Sequence, residues 1–214
     1  MQNLDLARLR AVGKAANGTL NDVILALSGA SLRRYLLDRN ALPDAPLVAM
    51  APVNVRPKDD PGGGNAVGAI LASLGTNVAD PAERLAAVIA STKSAKEQLQ
   101  GMSKAAILQY SALLVAPFML QLIPGAARRV PPAFNLVISN VPGPEEPLYF
   151  RGARLEASYP VSIPVHGMAL NITCNSYAGS MNFGFIGCRD TLPSLQRLAV
   201  YCGEALIELE KALL

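Results

Sequence analysis

The order in which helical and strand signals follow one another constrains this chain most. Leu4 to Ala16 has helical periodicity and stops at Asn17-Gly18. Thr19 then caps a longer helix, Leu20 to Asp38, with Asn21 and Asp22 in its first turn and Val23, Leu27, Ala30 and Leu37 near one face. Pro43 and Pro46 bracket a loop, and Leu47 to Val55 and Val67 to Thr76 read as strands. Asp80-Pro81 opens a helix to about Gln100, and Ser103 starts an apolar helix that Pro124-Gly125 ends. From Phe134 onward the signals are strands: Phe134 to Ile138, Leu148 to Arg151, Arg154 to Tyr159, Gly167 to Ser176 and Met181 to Ile186, the last two joined by a hairpin at Tyr177-Ala-Gly-Ser180. Pro193 begins a closing helix. Helix, two strands, two helices and a run of strands leave no regular βαβ alternation. The predicted class is α/β in the α+β sense, a mixed sheet with helices packed on it, and a doubly wound dinucleotide fold is excluded.

The segment Phe134-Asn-Leu-Val-Ile-Ser-Asn-Val-Pro-Gly-Pro144 is the most informative local feature. A buried-strand pattern runs into Ser139 and Asn140 and stops at Pro142-Gly143-Pro144. Proline removes a ladder donor and glycine permits a sharp turn, which fixes the two polar side chains at a strand end. There they can face a ligand on a rigid scaffold, or simply cap the strand through Asx and Ser/Thr turns.

Composition narrows the function classes. Of 214 residues, 51% are hydrophobic and 16% charged, so part of the apolar surface is expected to meet something other than this chain's own core. Dimers or higher oligomers are one expected consequence. The net charge of +3 is small, and the basic residues are scattered apart from Arg33-Arg34 and Arg128-Arg129, which argues against a nucleic-acid partner. Three cysteines, Cys174, Cys188 and Cys202, lack CxxC spacing and stand beside a single histidine, so no metal site is expected and the thiols read as buried, in a reducing compartment. The opening Met1 to Arg10 reads as an amphipathic helix start rather than a leader, and the expected location is cytoplasmic. The apolar run 105–123 approaches the roughly 20 residues that span a bilayer. Gln109, Ser111, Pro117 and Gln121 interrupt it. A buried or interface helix is the expectation, and a helix lying on a lipid surface or lipid inclusion is the other reading.

Familiar catalytic arrangements are thin. His166, in Pro164-Val-His-Gly-Met168, is the one side chain with an ordinary pKa near neutrality, and no acid neighbours it in sequence. No Gly-x-Ser-x-Gly elbow occurs, and the three glycines of Lys58-Asp-Asp-Pro-Gly-Gly-Gly64 lack the strand–loop–Lys–helix order of a phosphate loop.

Four motifs in order carry a resemblance: Thr19-Leu-Asn-Asp-Val-Ile-Leu25, Ala51-Pro-Val-Asn-Val-Arg-Pro57, Ser139-Asn-Val-Pro-Gly-Pro144, and Ala169-Leu-Asn-Ile-Thr173 with Ser176-Tyr-Ala-Gly179. Together they resemble the C-terminal half of the bacterial wax ester synthase/diacylglycerol acyltransferase (WS/DGAT) family, from about Leu4 to near the end of the chain. The resemblance implies a chloramphenicol acetyltransferase-like fold of two halves with a substrate tunnel between them. The whole of residues 1–214 would then be one domain, the C-terminal half. It further implies transfer of a fatty acyl group from acyl-CoA to a long-chain alcohol or diacylglycerol. Acyl-CoA is a substrate there, and no cofactor is implied. In that family the base belongs to a His-His-x-x-x-Asp-Gly motif of the N-terminal half, which this sequence lacks, so the partner is an N-terminal acyltransferase half in the same or a separate chain.

Residue by residue, the resemblance gives Asn21 and Asp22 a role partly structural and partly at the tunnel. It makes Arg56 an ion-pair partner for an acid in the same half. It sets Ser139 and Asn140 where related acyltransferases stabilise an oxyanion, a contribution of roughly 3 to 4 kcal/mol from a fixed donor. Two rival readings stay open: a non-catalytic lipid-binding or interaction module of the same fold, and a self-sufficient enzyme that uses His166.

Overall fold

The computed structural model describes residues 1–54, 67–120, 133–164 and 167–214. Arg56, the Lys58–Gly64 loop, Arg128-Arg129, the end of the apolar run and His166 fall outside them. The elements are β1 (Gln2–Asp5), α1 (Leu6–Ala15), α2 (Leu20–Leu37), β2 (Val48–Asn54), β3 (Val67–Ser73), α3 (Pro81–Gln100) and α4 (Lys104–Leu120). After them come β4 (Leu136–Val141), β5 (Tyr149–Phe150), β6 (Ala153–Arg154), β7 (Leu170–Tyr177), β8 (Ser180–Gly187) and α5 (Gln196–Leu213).

Six strands form one sheet in the order β1-β8-β7-β4-β2-β3. The β2–β4 and β4–β7 pairs are parallel and the others antiparallel, so the sheet is mixed, as the element order implied. Strand alternation sorts its side chains onto two faces. Leu4, Ala49, Ala51, Ile70, Ala72, Leu136, Ile138, Ile172, Cys174, Phe183 and Phe185 point to one face, where residues of all five helices join them in the main core. Among the described residues, the opposite face carries a small cluster, Phe134 and Met168 with Val48, Met50, Leu71 and Val137, and no helix residue joins it, so it is called the helix-free face.

Local chemistry explains the helix starts. Asp80 accepts from Glu83 N (2.9 Å) with Pro81 at the first helical position, and Thr19 and Asp22 form a reciprocal capping box on α2. The first expected helix is corrected: Gln2–Asp5 pairs with β8, and α1 begins at Leu6 because Asp5 Oδ1 caps it, accepting from Ala7 N (2.7 Å) and Arg8 N (3.2 Å). The strand expected over Arg154 to Tyr159 shrinks to Ala153–Arg154, paired with Tyr149–Phe150 in a separate two-stranded sheet. The closing helix starts at Gln196, with no side-chain cap, rather than at Pro193.

The apolar helix divides its surface. Leu114 is buried, and Ile107 and Tyr110 pack on the main core, whereas Leu108 and Leu113 are 70% and 71% exposed. α4 is therefore half covered rather than buried outright. Among the described residues no helix is long and apolar enough to cross a membrane.

Candidate functional site

β4 runs to Val141, so Ser139 and Asn140 stand at the strand end, as expected, and inside the parallel ladder with β7. Ser139 pairs with Thr173 and Asn140 with Cys174. Adjacent residues on a strand point to opposite faces. Ser139 therefore shares the helix-free face with Thr173, while Asn140 shares the helix-covered face with Ile138 and Cys174. The Asn140 Oδ1 is buried there without a hydrogen-bond partner. The sheet brings Ser139 to one side of the molecule and Asn140 to the other, and one small ligand cannot touch both side chains.

The turn that ends β4 is held by close approach. Gly143 N donates to Ser176 Oγ (3.0 Å), and a Cβ on Gly143 would lie 2.2 Å from the Ser176 carbonyl oxygen. Glycine is thus required at this point by contact with β7, and the turn register fixes where Ser139 stands.

Polar residues surround Ser139 on its face. Asn171, Thr173 and Asn175 alternate along β7, with Asn182 opposite Asn175 on β8 and Asn3 opposite Asn182 on β1. Asn3 Nδ2 donates to Asn182 Oδ1 (2.7 Å), and Thr173 Oγ1 donates to Asn171 Oδ1 (2.9 Å). An extended strap, residues 155–164, crosses this polar floor. The Ser162 and Thr173 hydroxyls are 2.6 Å apart, and Thr173 has already given its only proton to Asn171, so Ser162 donates. Asn175 Nδ2 donates to Ser158 Oγ (3.3 Å). Tyr177 Oη accepts from Leu148 N (2.8 Å) and donates to the Leu155 carbonyl (2.7 Å), pinning the strap's entry.

The motif Ala169-Leu-Asn-Ile-Thr173 contains Asn171 and Thr173 without assigning either a role, and the strap is a finding of the structure. The signal was present in the period-two pattern Ser158-Tyr-Pro-Val-Ser-Ile-Pro164, whose even positions are polar or proline and whose odd positions are apolar.

The Asn21-Asp22 pair belongs to the helix layer. Asp22, 3% exposed, accepts from Thr19 N (2.8 Å) and Thr19 Oγ1 (2.7 Å) through Oδ2 and from Thr92 Oγ1 (2.6 Å) through Oδ1. One carboxylate thereby closes the α2 N-terminus and ties it to α3, a structural latch. Asn21 is half-buried in the same first turn. A cavity of about 310 Å³ opens beside the latch, lined by Asn17, Thr19, Thr92, Lys93 and Lys96 among others. The structure does not bring this pair to Ser139, because α2 packs on the other face of the sheet.

Among the described residues, a mixed sheet is covered by helices on one face and carries a polar floor on the other. A condensation domain from the enacyloxin polyketide synthase shares this fold, with a TM-score of 0.56 at 17% identity over 100% of this chain and 40% of that one. Closer matches narrow the class. The model of the WS/DGAT C-terminal domain matches residues 63–210. The wax ester synthase/diacylglycerol acyltransferase from Marinobacter aquaeolei VT8 superposes with a TM-score of 0.85 at 45% identity, over 99% of this chain and 48% of that one. A Mycobacterium tuberculosis protein named as a diacylglycerol O-acyltransferase is 60% identical over 214 residues, 99% of this chain and 43% of its own length. The O-acyltransferase WSD of Acinetobacter baylyi is 45% identical over 203 residues, 95% of this chain and 44% of its own. The chain belongs to the WS/DGAT family, as its C-terminal domain, and spans less than half the length of these relatives.

Proposed function

We propose that this chain, as one domain over residues 1–214, is the C-terminal half of an acyl-CoA:long-chain-alcohol or diacylglycerol O-acyltransferase and forms one wall of its substrate channel. An N-terminal half supplies the catalytic base, and Ser139 supplies a hydrogen-bond donor to the developing oxyanion. The observation that carries the reading is the position of Ser139. It stands on the helix-free face, beside Thr173 in a parallel ladder and fixed by the Gly143–Ser176 contact. Acyl transfer builds negative charge on a carbonyl oxygen, and a rigidly held donor stabilises that charge without reorganising. Asn140 faces the helix side, away from Ser139, and Asp22 ties α2 to α3 in the helix layer that Asn21 shares. The exposed Leu108 and Leu113 of α4 support a peripheral contact with lipid through the run 105–123.

The test is steady-state kinetics on the full-length enzyme with long-chain acyl-CoA and an alcohol or diacylglycerol. Ser139→Ala is expected to lower kcat roughly 100-fold with little change in acyl-CoA binding or melting, as for loss of one oxyanion donor. Asn140→Ala is expected to change melting and spare kcat in the folded fraction. Unchanged kcat in Ser139→Ala would remove the serine from the chemistry. Turnover by the isolated chain that disappears in His166→Ala would replace the two-half reading with a self-sufficient enzyme.

A further inference from the structure

The strap across the polar floor is built inside out. From Ser158 to Pro164 the burial alternates residue by residue: Ser158, Pro160, Ser162 and Pro164 are half-buried, and Tyr159, Val161 and Ile163 are exposed. Val161 is 68% and Ile163 86% exposed, among the most exposed large apolar side chains of the molecule. Polar side chains turn inward because the sheet beneath offers Thr173 and Asn175 as partners, and period-two geometry then sends the apolar ones outward. The backbone cannot lift or sink freely. A Cβ on Gly184 would lie 1.9 Å from the Pro160 carbonyl oxygen, so the strap is seated directly on β8. Two hydroxyl and amide bonds at one end and the Tyr177 bridge at the other hold it there.

We propose that Tyr159, Val161 and Ile163 form the wall along which the fatty acyl chain lies, and that they set its chain-length preference. The inference rests on the acyltransferase reading above and names the part of this half that touches the hydrocarbon. Three features select this occupant. Residues 157–164 contain no charged side chain, which suits an uncharged chain. Thr173, which anchors Ser162, is the ladder partner of Ser139, so the strap is tied to the strand next to the candidate donor. An acyl group whose carbonyl meets Ser139 would pass the edge of the strap near Ser162 and run onto its outward apolar row. Finally, the buried bonds hold the outward side chains on a fixed backbone, as a specificity wall requires.

The experiment uses the full-length protein and compares short, medium and long acyl-CoA. Val161→Trp and Ile163→Trp are expected to lower the ratio of kcat/KM for long over short chains by roughly tenfold or more, the scale of discrimination a hydrophobic pocket reaches. Val161→Ala and Ile163→Ala should move the ratio the opposite way. A long acyl-CoA carrying a photoreactive terminal group should label the unsubstituted protein within the strap, which keeps the test alive if a tryptophan variant fails to fold. An unchanged chain-length ratio with labelling elsewhere would overturn the proposal. So would variants whose only defect is weaker association with the N-terminal half, since that result would make the strap an interdomain contact. Absence of turnover with every acyl-CoA in the unsubstituted enzyme would instead sink the acyltransferase reading, a separate outcome.

Discussion

Replacing Gly184 with alanine tests whether the strap is clamped to the sheet, and two effects of opposite sign compete. Gly184 is not among the residues with positive φ, so alanine meets no backbone strain there. On that ground alone the substitution should stabilise by about 0.4–1 kcal/mol, by reducing the freedom of the unfolded chain. Against it stands the added methyl, 1.9 Å from the Pro160 oxygen and 3.1 Å from its carbon. Restoring an ordinary contact moves the strap by about 1 Å or more, enough to lengthen the Ser162–Thr173 and Ser158–Asn175 bonds beyond hydrogen-bonding distance. Each such bond contributes about 0.5–1.5 kcal/mol net. The strap lies at the surface and can lift away, which limits the loss to those bonds and their local packing. The net expectation is a destabilisation of about 1–2 kcal/mol, read as a lower urea midpoint at constant slope. Amide exchange should quicken over 155–164 while the main core stays protected. A Gly184→Ala protein that is as stable as the original or more so, with unchanged strap exchange, would refute the clamp.

Asp22→Ala should cost about 1–3 kcal/mol in thermal unfolding, since it removes one half of the α2 capping box, leaves Thr19 N without its acceptor and breaks the tie to Thr92; a neutral outcome would dismiss the latch. Cys188, expected to be buried like the other two thiols, is exposed, and hydrogen bonds from Thr191 lower its pKa, whereas burial pushes Cys202 up to about 12 and Cys174 well above the ordinary thiol range. A thiol reagent should modify one cysteine quickly in the folded protein, and none in Cys188→Ser. The hydrogen bond from Arg8 holds the Glu210 carboxyl below its ordinary pKa, so this pair stabilises above the unfolded carboxylate pKa and loses its contribution as pH falls through the depressed folded value. Both groups are near solvent, and Glu210→Gln should therefore cost about 0.2–1 kcal/mol at neutral pH and nothing in acid, measured as the difference in unfolding free energy. The isolated chain should associate or bind apolar dyes at high concentration; a clean dye-free monomer by light scattering would count against its apolar surface being sticky.

Much of the fold was legible because its signals are local. Thr19 with Asp22, Asp80 with Pro81, and the Tyr177–Ser180 hairpin each fix an element with residues a few positions apart. β1 was not legible: its partner, β8, lies at the far end of the chain, and the apolar spacing of Leu4, Leu6 and Leu9 fits a helix equally well. The apolar pattern of β4 ends at Ile138, and Ser139 and Asn140 read only as a strand end until Thr173 and Cys174 are seen beside them. Once β4 is a strand through Val141, the separation of Ser139 from Asn140 follows from alternation alone. The strap defeated sequence reasoning for a different reason. Alternation in Ser158–Pro164 is plain, but a half-buried strand is ordinarily read with its apolar residues inward, and here the polar floor reverses the direction.

That reversal connects composition to role. An apolar fraction of 51% with 16% charge foretold surface beyond what one core needs. The main core absorbs the apolar residues of the helix-covered face; among the described residues, besides scattered exposed ones such as Leu37, Val200 and Ile207, two groups stay outside it. One is Leu108 and Leu113 on α4; the other runs from Tyr149 and Phe150 to Val161 and Ile163, in the region that borders the helix-free face. Exposing such side chains costs solubility, and a fold that merely needed a stable sheet could have turned Val161 and Ile163 inward and Ser158 and Ser162 to water. It does the reverse, and it places asparagine and threonine on the sheet to make the reverse stable. Among the described residues, the floor leaves Asn175 Oδ1 and Asn182 Nδ2 buried without partners, a cost it bears while holding this surface segment. The arrangement is economical only if the outward apolar row is itself needed. Its neighbour across one strand is Ser139, the one strand-end candidate that faces the same side.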